Sequence, residues 1–201
     1  MRKGFVIAVV VLLVMSLESM AAAQASQPAT PNPPAGAMQA PASSEAVSPQ
    51  VQAKINKGIQ HALLMLPYYG VYDWIAAYVQ GRTVTLTGAV LRSSLKPDAE
   101  RAVKKVEGVD TVINNIEVLP PGPLDDRIRR AVYDAIYNYG PLFKYSNDKV
   151  NPPIHILVRN ARVTLEGIVD TEVDKGQCTL RANQVPSVLS VTNNLRVIKS
   201  K

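Results

Sequence analysis

The sequence has few of the side chains from which enzymes and metal sites are built. Among 201 residues there are one cysteine, Cys178, and two histidines, His61 and His155, and aromatic residues make up 5%. A single cysteine excludes an intrachain disulfide framework, and so few Cys and His side chains cannot complete a tetrahedral zinc site. The G-x-S-x-G, H-E-x-x-H and phosphate-loop motifs are missing as well. We therefore predict a non-enzymatic protein that takes no metal and no cofactor.

Long hydrophobic runs are also scarce, and the first one has the layout of an export signal. Arg2 and Lys3 precede an apolar run over residues 5–15, and small residues follow at 21–25. Glu18 interrupts this run before it reaches the about 20 apolar residues that a membrane-spanning helix needs. We predict a signal peptide over residues 1–23 that is cleaved, with its retention as an anchor as the alternative. An exported chain has no expected nucleic-acid partner, although the formal net charge is +6.

Charge and periodicity are nearly missing from residues 24–48. This stretch is rich in Pro, Ala, Ser and Gln, and Glu45 is its one charged residue. Such a composition cannot bury enough apolar surface to fold, and its prolines stiffen the chain. We predict a disordered tether over residues 24–48 that acts as a spacer.

An internal repeat occupies the rest of the chain. GRTVTLTGAV at 81–90 aligns with NARVTLEGIV at 160–169, and TVINNIEVL at 111–119 aligns with SVTNNLRVI at 190–198, both at an offset of 79 residues. The upstream helical patterns align at an offset of 73, so the second copy carries six additional residues. Segments that share one offset indicate a tandem repeat. We predict one unit over residues 49–119 and a second over residues 120–201.

Each copy contains the same order of predicted elements. Apolar residues recur at the helical period in 51–66, alternate along 74–79 and 84–90, return at the helical period in 99–106, and alternate again in 109–118. Pro97 and Asp98 are expected to open the second helix. The predicted fold class is α+β, with two tandem αββαβ units, each a three-stranded mixed sheet with two helices on one face.

Glycine and asparagine recur at matching positions of the two copies. Gly88 and Gly167 end the second strand, and Asn-Asn pairs occur at 114–115 and 193–194. A bulge or a close backbone approach explains such glycines, and bonding of the side chain to the local backbone explains such asparagines. We assign Gly88, Gly167, Asn115 and Asn194 to the structural framework rather than to a binding site.

The histidines and the cysteine also have positions that indicate ordinary packing. His61 lies beside the solvent face of a predicted helix, and His155 alternates with the core-facing Ile154 and Ile156. We expect both to be surface or half-buried histidines without a catalytic role. Cys178 takes the place of an inward-facing alanine of the first copy, which predicts a small buried apolar side chain.

The repeated segments resemble the BON domain, named for bacterial osmotically inducible and nodulation proteins. They read VTLTG with VDTVINN at 84–88 and 109–115, and VTLEG with VLSVTNN at 163–167 and 188–194. The resemblance covers everything after the tether and implies a periplasmic protein that binds phospholipid surfaces, with a role in envelope maintenance or osmotic stress. The second copy departs from the pattern at Ser187, in place of Gly108, and at Ala161-Arg162, where a turn glycine is expected.

Basic and aromatic residues concentrate near the first helix of the second unit. At about 100° per residue, the basic and aromatic side chains fall on the outer face of this helix and on its flank. The loop with the additional residues contains further basic and aromatic side chains. Cations and aromatic rings together suit an anionic headgroup boundary. The candidate lipid-binding residues are Arg129, Arg130, Tyr133, Tyr137, Phe143 and Lys144.

Two other interpretations of this surface stay open. Asp126 and Asp134 share the outward face with Arg130, and pairing of Arg130 with Asp134 would leave only a solvated helix. Tyr and Arg are also enriched at protein interfaces, so chemistry alone favours a lipid surface and a protein partner equally. We predict binding to an anionic phospholipid membrane surface, because of the family resemblance. The alternative function is a periplasmic protein interaction scaffold or chaperone-like module with envelope proteins as partners.

Overall fold

The computed structural model describes residues 48–147 and 152–198 of the chain. The predicted signal peptide and the predicted tether up to residue 47 lie outside the described residues. Within the two described ranges, no helix has the length and hydrophobicity needed to cross a membrane.

The two units contain the same helices and strands in the same order, and the second unit adds a 3₁₀ segment. In the first unit these are α1 (Pro49–Leu64), β1 (Trp74–Gln80), β2 (Thr83–Val90), α2 (Leu95–Lys104), β3 (Thr111–Asn114) and β4 (Glu117–Val118). In the second unit they are α3 (Pro123–Tyr137), a 3₁₀ segment (Gly140–Asn147), β5 (Ile154–Arg159), β6 (Arg162–Val169), α4 (Glu172–Asn183), β7 (Ser190–Asn193) and β8 (Arg196–Val197).

Each unit forms one mixed sheet around a central strand. β2 pairs antiparallel with β1 and parallel with β3 and β4, and β6 makes the same pairs with β5, β7 and β8. β3 and β4 are two pieces of one edge, separated where Ile116 turns into the core and is only 1% exposed. The third predicted strand is thus interrupted, while the predicted fold class of two tandem α+β units is confirmed.

Capping, a first-turn proline and a buried side chain mark the starts of the helices. Ser48 caps α1, its Oγ accepting the backbone N–H of Val51, and Pro123 occupies the first turn of α3. α2 begins at Leu95, two residues before the predicted start at Pro97, and the Leu95 side chain is fully buried. The buried side chain thus extends the helix by half a turn toward its N-terminus.

Each unit has its own hydrophobic core between the helices and one face of the sheet. In the first unit the helices contribute Ile55, Ile59, Leu63, Leu95, Ala99 and Val103, and the sheet contributes Ile75, Ala77, Val79, Val84 and Leu86. The second core is built in the same way around Leu165, which is fully buried. Leu124, at the start of α3, is 43% exposed, and the buried apolar side chains of this helix begin at Ile128.

Gly88 and Gly167 bring neighbouring strands into backbone contact. Their φ angles are 113° and 120°, in the left-handed region that favours glycine. A Cβ at Gly88 would lie 2.2 Å from the carbonyl oxygen of Trp74, and one at Gly167 would lie 2.1 Å from that of Pro153. A collision with backbone cannot be relieved by a rotamer change, so both glycines serve the strand pairing.

Candidate functional site

Arg129 points into the second unit. Its side chain is buried, with the whole residue 1% exposed. Its Nη2 donates to the backbone carbonyl of Val158 at 2.7 Å, and its Nη1 pairs with Asp126. The predicted position on the flank of an outer helix face is therefore wrong, because the guanidinium supports the end of β5. A guanidinium buried in this way cannot meet a lipid headgroup.

Tyr137 is also buried, at 1% exposure, so its predicted outward position is wrong. Its hydroxyl donates to the carbonyl of Ile154 at 2.5 Å, and burial raises the pKa of this hydroxyl. Leu142 and Tyr145, both from the 3₁₀ segment, belong to the same hydrophobic cluster. The 3₁₀ segment, which contains the additional residues of the second copy, thus joins the core around Tyr137, a position that helical spacing assigned to solvent.

Lys144 ties the 3₁₀ segment to α4. Its Nζ lies 2.9 Å from a carboxylate oxygen of Asp170 and 2.8 Å from one of Asp174. The Tyr145 hydroxyl donates to Asp174 at 2.8 Å and accepts the backbone N–H of Asp170. Burial lowers the pKa of Lys144, but hydrogen bonds to Asp174 and Asp170 outweigh it and raise this pKa overall. The ammonium group therefore stays charged while it is paired.

Arg130 and Phe143 remain at the surface. Phe143 is 56% exposed, and Arg130 is exposed on α3. Tyr133 is half-buried, since its ring stacks on Tyr137 at 4.7 Å between centroids and meets Tyr72 of the first unit edge-on at 6.4 Å. The structure thus divides the six predicted residues between the core, the contact with the first unit and the surface.

A second exposed apolar group lies in the first unit, where the sequence analysis assigned none. Met65 is 64% exposed and Tyr68 is 72% exposed in the loop after α1. The guanidinium of Arg92 lies 4.9 Å from the centroid of the Tyr68 ring. The same loop in the second unit holds Phe143. The apolar run LPYYG at 66–70, placed between a helix and a strand, was the signal that could have indicated this group.

The first asparagine of each Asn-Asn pair joins strand to helix. Asn114 Nδ2 donates to the carbonyl of Lys96 at 2.8 Å, and its Oδ1 accepts the N–H of Ile116. Asn193 makes the matching bonds to Lys175 and Leu195. These bonds hold the interrupted edge strand against α2 and α4.

The second asparagine of each pair lies on the other side of the edge strand. Asn115 has an exposed side chain, and its backbone N–H donates to the carbonyl of Leu86. Asn194 is also exposed and donates to Glu166 at 2.6 Å.

His155 is buried, at 2% exposure, and not a surface or half-buried residue as predicted. Its ring packs at 4.9 Å from that of Trp74, which belongs to the first unit. Arg159 and Glu117 also join the two units through an ion pair of 2.7 Å. Alternation along β5 indicates which face of the strand His155 takes, but it does not show that the other unit covers that face.

The cysteine and the potential metal ligands are also chemically versatile side chains of the described residues, and Cys178 is buried in the second core. Cys178 is fully buried, and burial raises the pKa of its thiol to about 12, so it is not a thiolate near neutral pH. In the described ranges, no three His, Cys, Asp or Glu side chains are grouped as metal ligands. The polar side chains described above serve strand pairing, helix docking and the contact between units.

These features define a tandem-repeat α+β protein with two αββαβ units that share a packed contact. The chain belongs to the BON domain family, whose sequence model matches residues 52–120 and 125–199. BON-domain proteins are typically periplasmic or envelope-associated and are generally non-enzymatic. A search of curated proteins found no match.

Two solved structures of CdsD, a structural protein of the type III secretion system of Chlamydia trachomatis, are similar to this chain at 12% identity. The first, of the C-terminal domain, gives a TM-score of 0.29 over 71% of this chain and 96% of that chain. The second gives 0.30 over 72% and 92%.

Proposed function

We propose that this chain is a non-enzymatic protein of the bacterial periplasm that binds anionic phospholipid surfaces, mainly through its second unit. The observation that carries the proposal is the exposed ring of Phe143. The adjacent Lys144 is paired with Asp170 and Asp174, and its ammonium would exchange these carboxylates for phosphate on docking. An aromatic ring enters the boundary between headgroups and acyl chains, and a neighbouring cation meets phosphate. Arg130 adds an exposed cation on α3.

The net charge of the second unit and an exposed apolar loop of the first unit support the same proposal. Residues 120–201 contain 12 basic and 8 acidic residues, net +4, whereas residues 49–119 contain 8 and 6, net +2. The exposed Tyr68 and Met65, with Arg92 beside them, repeat the combination of apolar surface and cation in the loop after α1. We assign this loop a secondary contact with the membrane, because its unit is less basic.

Vesicle co-sedimentation tests the proposal. The protein is expected to bind vesicles that contain phosphatidylglycerol at low salt, to be released at high salt, and to bind pure phosphatidylcholine vesicles weakly. Arg130→Glu should weaken binding by about tenfold or more, since each charge near an anionic surface contributes about 1 kcal/mol. Lys57→Glu, the same change at the equivalent exposed position of the first unit, is the matched control and should have a smaller effect.

Phe143→Ala separates burial of the ring from charge. It should weaken binding at every salt concentration without changing the salt dependence, because the ring contributes apolar contact. If folded Arg130→Glu and Phe143→Ala proteins both bind like the parent, this surface does not dock on lipid.

A protein-interaction scaffold is the second candidate function, and one observation favours it. Val173, Leu180 and Leu189 are 71%, 49% and 71% exposed in the second unit. The residues at the same repeat positions of the first unit are Ser94, Arg101 and Asp110. Exposed apolar residues at positions that are polar or charged in the other unit suit a protein partner. Leu180→Glu should leave vesicle binding intact and remove such a partner.

A further inference from the structure

The two units are joined by a latch, which we define as residues 69–74 of the first unit together with His155 of β5. The His155 ring lies 4.9 Å from the Trp74 ring and 5.6 Å from the Tyr69 ring, between centroids. Its Nδ1 lies 3.2 Å from the carbonyl oxygen of Gly70. Beside it, the backbone N–H of Ile156 donates to the carbonyl of Val71 at 2.8 Å, which caps the free edge of β5.

The latch holds the imidazole of His155 in its neutral form. The Gly70 carbonyl only accepts hydrogen bonds, so Nδ1 carries the proton and Nε2 has none. Burial lowers the pKa of His155 to about 4, although bonds to the backbone of Gly70 and Asp73 oppose this. Because these aromatic neighbours and backbone partners all come from the first unit, separation of the units would return His155 to water and to its ordinary pKa of 6.5.

We propose that the latch is an acid-sensitive hinge, in which protonation of His155 releases the first unit from the second while each unit keeps its own fold. The separate hydrophobic cores permit this, since the core of each unit is formed almost entirely by its own residues. Val71 and Tyr72 are the exceptions, because they pack against the second core and would leave it when the latch opens.

The charged groups around the latch do not supply a counter-charge for the imidazolium. Glu166 is the register partner of His155 on β6, but its side chain accepts from Asn194. Asp73 is buried, and its two oxygens accept the backbone N–H groups of Gly70 and Leu91.

Tyr69 and two arginines complete the titratable surroundings of the latch. The hydroxyl of Tyr69 accepts the N–H of Ile75, and burial raises its pKa. Arg92 and Arg129 interact electrostatically with Asp73. A proton on His155 is therefore added to a buried contact made mainly of aromatic rings.

Latching depends on pH because the separated and the latched states bind the His155 proton with different affinities. The separated state binds it with a pKa of 6.5 and the latched state with a pKa of about 4, so latching weakens as pH falls through this range. The full loss is about 300-fold in the latching equilibrium and is approached only below pH 4. Burial raises the pKa of Asp73 and of Glu166, and protonation of these carboxyl groups opposes the effect of His155 on acidification.

Trp74 reports the latch directly, because it is the only tryptophan of the chain. The protein should show a reversible change in tryptophan emission between about pH 6.5 and pH 4, with unchanged far-UV circular dichroism. His155→Phe keeps a ring against Trp74 and cannot be protonated, so its emission should stay constant. His61→Gln removes the other histidine, which is exposed, and should titrate like the parent.

Small-angle scattering of the unsubstituted protein provides a test that needs no variant. The radius of gyration should rise in the same pH range and return on neutralisation. The proposal is overturned by constant emission and radius in the parent, by the same emission change in folded His155→Phe, or by loss of the circular dichroism signal together with the emission change, which would mean unfolding.

Discussion

Asp125 at the start of α3 holds the hairpin turn at Ala161, 36 residues further along the chain. Its Oδ1 accepts the backbone N–H of Ala161 at 2.8 Å, and its Oδ2 accepts that of Asn160 at 2.9 Å. Asn160 and Ala161 have φ angles of 50° and 58°, as in a type I′ turn. The carboxylate therefore stabilises a turn that lacks the glycine present in the first unit.

Removal of this carboxylate should destabilise the second unit. Asp125→Ala leaves the buried N–H of Ala161 and the half-buried N–H of Asn160 without this partner, and we expect a loss of about 2–3 kcal/mol in the free energy of unfolding. Urea denaturation measures it. Asp134→Ala, at an exposed position of the same helix, is the control and should change stability by about 0.5 kcal/mol or less. Equal effects of the two variants would contradict this role of Asp125.

A methyl group at Gly88 should disrupt the first unit. Gly88→Ala places a Cβ 2.2 Å from the carbonyl oxygen of Trp74, so β1 and β2 must separate locally, and we expect a loss of about 3 kcal/mol or more. Gly81→Ala is the matched control, since Gly81 also has a positive φ but a Cβ there meets no atom within 4 Å. It should cost only about 1 kcal/mol. Thermal unfolding distinguishes the two, and similar melting temperatures would contradict the argument.

The two asparagines at 114–115 should differ in importance, although the sequence does not distinguish them. Asn114→Ala removes the bonds to Lys96 and Ile116, and we expect it to cost about 2 kcal/mol. Asn115→Ala changes an exposed side chain and should cost about 0.5 kcal/mol or less. Chemical denaturation of the two variants provides the measurement. A larger effect at Asn115 would show that the edge strand is held in another way.

Separate cores predict that damage to one unit stays in that unit. Leu86→Ala and Leu165→Ala each truncate a fully buried leucine at a sheet centre and should cost about 2–5 kcal/mol. Hydrogen exchange followed by mass spectrometry should show faster exchange in the strands of the substituted unit and little change in the other. Equal acceleration in both units would mean that they unfold as one cooperative body.

The sequence predicted the architecture because repetition and periodicity are local properties. The alternation around Leu86 and the helical spacing of Ile55 and Ile59 depend on neighbours within one unit, and both survive in the structure. The interruption at Ile116 could not be predicted from local periodicity. It depends on Asn114, whose side chain also bonds to the carbonyl of Lys96, 18 residues earlier in the chain.

The candidate surface was predicted less well because burial there depends on segments outside the helix. Tyr137 lies on the outer face of α3 by periodicity alone, but the 3₁₀ segment and the carbonyl of Ile154 cover it. Helical spacing places Arg129 on the flank of the outer face, although its partner Val158 lies on a strand 29 residues away. Helical spacing carries no information about the inserted segment or the strand edge. Strand alternation likewise carries none about the first unit, which covers His155.

The latch also has a consequence for the order in which an exported chain reaches its final form. Val71 and Tyr72 precede β5 by about eighty residues, yet they pack against the second core. If the chain emerges from a translocation channel N-terminus first, the first unit folds while these two side chains have no partner. During that interval they are exposed to solvent, and they become buried only when the second unit has formed. Exposure of this loop therefore marks a chain whose second unit has not yet folded, which limited proteolysis at 69–73 would detect.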